Sequence, residues 1–167
     1  PGAGSGAVTS TGTLGSGDDR VIGGALIDSL DGGAGSDILI LDYSNATPFN
    51  GVTIEQVDLR FNTQSGTYAS NFYEYYTFTN QNGDTNTASF NVRNFETFDI
   101  IGTSGSDSIR TAGGNDRIVA GAGNDTVAGG DGDDHISTGS GNDTVYSGAG
   151  SDIVRAGSGD DVIYDLS

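Results

Sequence analysis

Residues 138–164 read TGSGNDTVY, SGAGSDIVR, AGSGDDVIY. Each of these three nonapeptides places Gly second and fourth, Asp sixth and an aliphatic residue eighth. The same frame runs back without a gap to residue 102 through GTSGSDSIR, TAGGNDRIV, AGAGNDTVA and GGDGDDHIS, and three more units fit at 14–40: LGSGDDRVI, GGALIDSLD and GGAGSDILI. The sixth residue is Asp in all ten: Asp19, Asp28, Asp37, Asp107, Asp116, Asp125, Asp134, Asp143, Asp152 and Asp161. The eighth is always aliphatic: Val21, Leu30, Leu39, Ile109, Ile118, Val127, Ile136, Val145, Val154 and Ile163. Second and fourth positions carry Gly15 and Gly17, Gly33 and Gly35, Gly121 and Gly123, Gly130 and Gly132, Gly139 and Gly141, Gly148 and Gly150, and Gly157 and Gly159. Gly105 and Gly114 stand at the fourth position alone, behind Thr103 and Ala112, and Leu26 replaces the fourth glycine of 23–31. A short fixed period of this kind decides the fold before any local propensity does.

Glycines at positions two and four permit positive φ and close backbone approach, so the first six residues are expected to turn. The last three, with one aliphatic residue between more polar neighbours, predict a very short strand. One unit cannot bury its single aliphatic side chain alone. Stacking many units does so, with two nonapeptides per coil, parallel strands in two sheets and turns along both edges.

The repeated Asp has no place in that apolar core. Stacking sets the sixth-position Asp of one unit about 4.7–4.9 Å from that two units on. Bare carboxylates so close repel each other. A hard divalent cation reverses the sign. Calcium takes six to eight oxygens from carboxylates and backbone carbonyls, and glycine-rich turns present such carbonyls. Magnesium demands tighter octahedral geometry and keeps its waters. Zinc favours His or Cys, and the chain has one His and no Cys. The expected ligands are therefore Asp19, Asp37, Asp107, Asp116, Asp125, Asp134, Asp143, Asp152 and Asp161, with the turn glycines named above. Pairing each unit with the second one after it gives Asp19–Asp37, Asp107–Asp125, Asp116–Asp134, Asp125–Asp143, Asp134–Asp152 and Asp143–Asp161. About six to eight calcium ions follow. Asp28 pairs only across the intervening segment, and Leu26 weakens the loop at 23–28 as a site.

These units, GGDGDDHIS at 129–137 above all, resemble the RTX (haemolysin-type) calcium-binding repeats, whose pattern is GGxGxDxUx. The resemblance covers 14–40 and 102–164. It implies an all-β fold, a right-handed parallel β-roll interrupted here by a β-rich insertion, with calcium bound in the turns. It also implies a secreted bacterial protein, an exoprotein or adhesin, exported unfolded by a type I system and folding on meeting calcium outside the cell. The secretion signal that the family carries is not visible after Tyr164, so the chain is expected to be an internal module.

Composition divides the chain. Residues 41–101 hold three of the 29 glycines, 12 of the 14 Tyr and Phe and all three Glu. The expected organisation is one composite domain: N-terminal repeats over 1–40, an aromatic β-strand insertion over 41–101 packing on the roll, and C-terminal repeats over 102–167. Residues 32 and 102, where the third and fourth units open, are 70 apart, which is not a multiple of nine. The insertion is therefore not a run of decayed repeats. Its runs ILILDY, VTIEQVDLRF, FYEYYTFT and SFNVRNFETFDII read as strands, with alternation slips after Ile54 and Val92 that suggest bulges. The last run resembles a lead-in strand to a repeat block.

The formal charge of −17, with six Arg and no Lys, argues against nucleic acid, which needs clustered cations. No run approaches a membrane helix. Without calcium, this charge and the thin core predict disorder. No nucleophile motif appears, His135 falls at a solvent-facing seventh position, and Glu55, Glu74 and Glu96 show no pairing signal. Catalysis is the weakest reading, and the chain is expected not to be an enzyme. The main expectation is a calcium-binding module that folds outside the cell and stabilises or presents part of a larger protein. The alternative is a carbohydrate- or cell-surface-binding module. In it, Tyr73 and Tyr75 form a ligand platform on the calcium-rigidified scaffold.

Overall fold

The structure, a computed structural model, describes residues 11–23, 29–44, 58–60, 74–79 and 85–165. Fifteen strands alternate with turns: β1 (Thr11–Thr13), β2 (Arg20–Gly23), β3 (Ser29–Asp31), β4 (Ile38–Asp42), β5 (Asp58–Arg60), β6 (Glu74–Thr79), β7 (Thr85–Arg93), β8 (Thr97–Ile101), β9 (Ser108–Arg110), β10 (Arg117–Ala122), β11 (Thr126–Asp131), β12 (His135–Ser140), β13 (Thr144–Ala149), β14 (Ile153–Ser158) and β15 (Val162–Tyr164). The described residues contain no helix, hence none long and apolar enough to cross a membrane.

The expected parallel β-solenoid is present. One sheet runs β14-β12-β10-β8-β4-β2 through both repeat blocks, and β15-β13-β11-β9-β5 forms a second. A third has the order β1-β3-β7-β6, in which only β6 and β7 pair antiparallel. The coil of two nonapeptides sets the register: Ile118 lies opposite Ile136 and Val127 opposite Val145, each 18 residues apart. The eighth-position column is the core. Leu39, Ile109, Ile118, Val127, Ile136 and Val145 are fully buried and belong to one cluster.

Two features differ from the sequence-based expectation. Strands β10 to β14 each have six residues and run on into the next unit's first three positions, with Gly121 opposite Gly139. Period two then points position one inward as well. Ala120, Thr138 and Ser147 are accordingly buried. Small side chains suit that corner, where the core narrows toward the turn.

The second difference lies where 41–101 rejoins the roll. β8 inserts between β4 and β10, and β7 pairs with β3. The offset is 62 residues between β3 and β7 (Ser29 opposite Asn91) but 59 between β4 and β8 (Ile38 opposite Thr97). The connection 94–96 is therefore three residues shorter than 32–37 beside it. Asn94, at φ 56, is the only non-glycine with positive φ among the described residues. Asn tolerates that left-handed corner better than other side chains. Leu39 then faces Phe98, and Leu41 faces Ile100, which in turn faces Ile118. The displacement along the strand is two residues. An even shift keeps every side chain on its face, whereas a shift of one would turn the core residues outward.

Candidate metal centre

The turns of the repeat stack along two edges. One edge carries turns 14–19, 32–37, 94–96, 111–116, 129–134 and 147–152. The other carries 102–107, 120–125, 138–143 and 156–161. Unit 129–137 shows why glycine is needed at positions two and four. Gly130 and Gly132 have φ 101 and 125, conformations that L side chains rarely adopt. A Cβ on either would run into the backbone carbonyl of Ala112 or Gly114, one coil back. Of the turn glycines singled out from sequence, Gly105 alone lacks positive φ.

Each sixth-position Asp is woven into its neighbours. The N–H groups of Asp19, Asp107, Asp116, Asp125, Asp134 and Asp143 donate to Oδ1 of the Asp 18 residues later, at 2.8–3.0 Å. These are the six pairs expected from the sequence, now joined by hydrogen bonds. The carbonyl of the same residue accepts the N–H of the next coil's seventh position, as in Thr144 N–H to Asp125 O at 2.8 Å. N–H, C=O and Oδ1 are thus engaged, and Oδ2 is left over. It is buried without a hydrogen-bond partner in Asp19, Asp37, Asp116, Asp125, Asp134, Asp143 and Asp152.

A column of buried carboxylates each with one idle oxygen is costly unless a cation completes it. Burial, above all, raises Asp116 and Asp125 to a pKa of about 7 and Asp134 to about 6, from 3.8. Among the described residues no three His, Cys, Asp or Glu side chains converge on one point. A bound ion would therefore take no more than two carboxylates, with backbone carbonyls completing its shell. That donor set suits calcium and not zinc. The residues present fit calcium.

A second ladder was not foreseen. Position five carries Asp, Asn or Ser in nine units, and its side-chain oxygen accepts the N–H of position five one coil on. Examples are Ser36 N–H to Asp18 Oδ1 (2.9 Å), Asn142 N–H to Asn124 Oδ1 (2.8 Å) and Ser151 N–H to Asp133 Oδ1 (2.8 Å). It runs opposite in sense to the buried ladder beside it, so adjacent residues stitch each turn to both neighbours.

The turns are not equivalent. Thr103 departs from glycine and bonds the Asp of its own turn: its N–H reaches Asp107 Oδ2 at 2.6 Å and its hydroxyl Asp107 Oδ1 at 2.8 Å. Thr138 Oγ1 donates to Ala156 O at 2.9 Å, and Thr111 Oγ1 to Gly129 O. Glu96, unremarkable in the sequence, stands on the Asp ladder: its Oε2 accepts the N–H of Asp37 at 2.8 Å. Phe98 N–H donates to Asp116 Oδ1 at 2.8 Å, as an Asp would. Asp28 and Tyr73 lie outside the described residues, as does most of the loop at 23–28, and Tyr75 is described only as backbone of β6.

A comparison with curated proteins returned no match. The family model for the RTX calcium-binding nonapeptide repeat (4 copies) matches residues 13–42, 99–127 and 128–163, more than half of the chain. With its coil of two nonapeptides, its buried Asp ladder and its idle carboxylate oxygens, the chain belongs to the RTX calcium-binding nonapeptide repeat family.

Proposed function

We infer that this calcium-binding module is assembled by its ions. In calcium the roll forms, and in chelator charge repulsion keeps the chain unfolded until it reaches a calcium-rich medium outside the cell. There it stabilises or presents part of a larger secreted bacterial protein. The observation that carries this reading is the set of seven buried, unpartnered Oδ2 atoms on a chain of formal charge −17. Ligands arranged only in the folded chain make binding free energy into folding free energy. The six Asp-to-Asp ladder bonds support one ion per pair of full turns.

The test is far-UV circular dichroism with equilibrium dialysis against calcium. Strand signal should rise cooperatively with calcium, and about six to eight ions should bind per chain. A strand spectrum unchanged by chelator, or saturation at one or two ions, would refute it.

A further inference from the structure

We propose that the junction between the two repeat blocks is itself a calcium site, made from turn 32–37 and the non-repeat residues Asn94 and Glu96. Residues 43–98 carry no repeat match, so this site lies partly outside the nonapeptides. It deepens the calcium-module reading and rests on it.

In repeat turn 129–134, Gly129 leaves position one without a side chain. Against that bare face lie Oδ2 of its own Asp134 and the carbonyl oxygen of Ser147 from the next coil. Turn 32–37 repeats the arrangement with different residues. A Cβ on Gly32 would meet Asp37 Oδ2 at 2.7 Å and would overlap the carbonyl oxygen of Asn94. Asp37 is 0% exposed, and its Oδ2 has no hydrogen-bond partner. A buried anionic oxygen and a carbonyl oxygen thus converge with no donor between them.

The remaining elements of a repeat site have substitutes. Glu96 takes the place of the next coil's Asp: its Oε2 accepts the Asp37 N–H, and its own N–H and that of Thr97 both reach Asp37 O at 3.2 Å. Asn94 is held by its side chain, whose Nδ2 donates to Asp31 Oδ1 at 2.7 Å. That bond and the left-handed backbone aim its carbonyl at Gly32. Glu stands here where the repeat has Asp, in a turn three residues shorter than 32–37 beside it. An ion at this point would bridge the N-terminal repeats to β8, and through β8 to the C-terminal repeats.

The experiment compares calcium stoichiometry, by equilibrium dialysis of the full chain, for the wild type, Glu96→Gln, Asp125→Asn and Asp99→Asn. Gln keeps an acceptor for the Asp37 N–H and removes the charge. Asp99, an acid on β8 paired with Arg117 on the exposed face, controls for net charge. The expected result is one ion fewer for Glu96→Gln, at least one fewer for Asp125→Asn, which belongs to two ladder pairs, and none lost for Asp99→Asn. Hydrogen exchange on the wild type supplies a readout independent of any variant. The Glu96 and Thr97 amides should gain protection with calcium, and Glu96→Gln should lose that gain while the C-terminal strands keep theirs. If Asp125→Asn loses an ion and Glu96→Gln loses none, the junction site is overturned and the repeat sites stand. If the wild type binds no calcium, both readings fall together.

Discussion

Asp125→Asn should change sign with calcium. Asp125 sits within turn 120–125; its Oδ1 accepts the Asp107 N–H at 2.8 Å, its N–H donates to Asp143 Oδ1 at 2.8 Å, and its Oδ2 is buried without a partner. An amide keeps the first two bonds and neutralises the third group. In chelator the substitution removes an uncompensated buried anion. The rise in pKa from 3.8 to about 7 would represent roughly 4 kcal/mol undiminished. Solvent screening at the edge of the roll reduces this to about 1–2 kcal/mol of stabilisation. In calcium at about a hundred times the dissociation constant, loss of one ion costs about 2.7 kcal/mol. The assay is strand content by circular dichroism. Folding of the calcium-free chain is driven by trimethylamine N-oxide, which strengthens burial, and unfolding of the loaded chain by urea. The variant should fold at lower osmolyte than the wild type in chelator and unfold at lower urea in calcium. Asp125→Ala, which in addition deprives the Asp107 N–H of its acceptor, should be about 1–3 kcal/mol less stable than Asp125→Asn in both conditions. If Asp125→Asn is equally destabilising with and without calcium, Oδ2 is not a cation ligand and the roll does not depend on calcium through it.

The raised carboxylates make a related prediction about pH. A group whose pKa is higher folded than unfolded leaves the folded state binding more protons, so stability falls as pH rises from 3.8 toward about 7. Calcium-free chain should need less osmolyte to fold at about pH 5 than at about pH 8, whereas loaded chain should gain stability over the same rise as protons stop competing with calcium; a flat osmolyte midpoint would contradict the desolvated carboxylates. Thr103→Gly removes the hydroxyl that serves Asp107 and should cost the calcium-free roll about 1.5–3 kcal/mol, raising the calcium needed for half-folding; an unchanged calcium midpoint would deny Thr103 that role. Gly130→Ala, at φ 101 and against the Ala112 carbonyl, should lose at least about 1–3 kcal/mol in urea melts. Gly113→Ala, which meets only Asp131 O at 3.8 Å, should cost under about 1 kcal/mol; similar losses for the two would mean that turn geometry does not set the glycine pattern.

The solenoid, its coil length and its Asp column were legible because each depends on a residue type recurring at one position. Ile118 faces Ile136 because both are eighth in units two apart, and nothing beyond counting is needed. The buried role of position one was less visible, since Ala120, Thr138 and Ser147 share smallness and not a chemical type. The position-five ladder could have been found: Asp, Asn and Ser recur there, all with a short side-chain oxygen. The junction could not. A spacing of 70 between units counts residues, whereas the sheet counts strands and faces, and a displaced β8 satisfies the sheet provided its shift is even. Glu96 meets the ladder because turn 94–96 is three residues shorter than 32–37, which no residue count along the chain reveals.

The two ladders also bear on why the repeat uses Asp where Asn would satisfy the same hydrogen bond. At position five Asn and Asp interchange, since Asn142 N–H donates to Asn124 Oδ1 and Ser151 N–H to Asp133 Oδ1 with equal geometry. That side chain is exposed and needs only an acceptor. At position six the acceptor role is identical, yet every unit has Asp. What distinguishes the two positions is burial: the position-five side chain is exposed and needs no second oxygen, whereas position six buries one. A neutral amide would make the calcium-free roll easier to fold. Under the proposed function, the charge at position six would oppose folding wherever calcium is scarce and favour it where calcium is plentiful. A hydrogen-bond ladder alone would hold the coils together in any medium; under the proposed function it is the idle, buried oxygen that would make their assembly conditional on the ion.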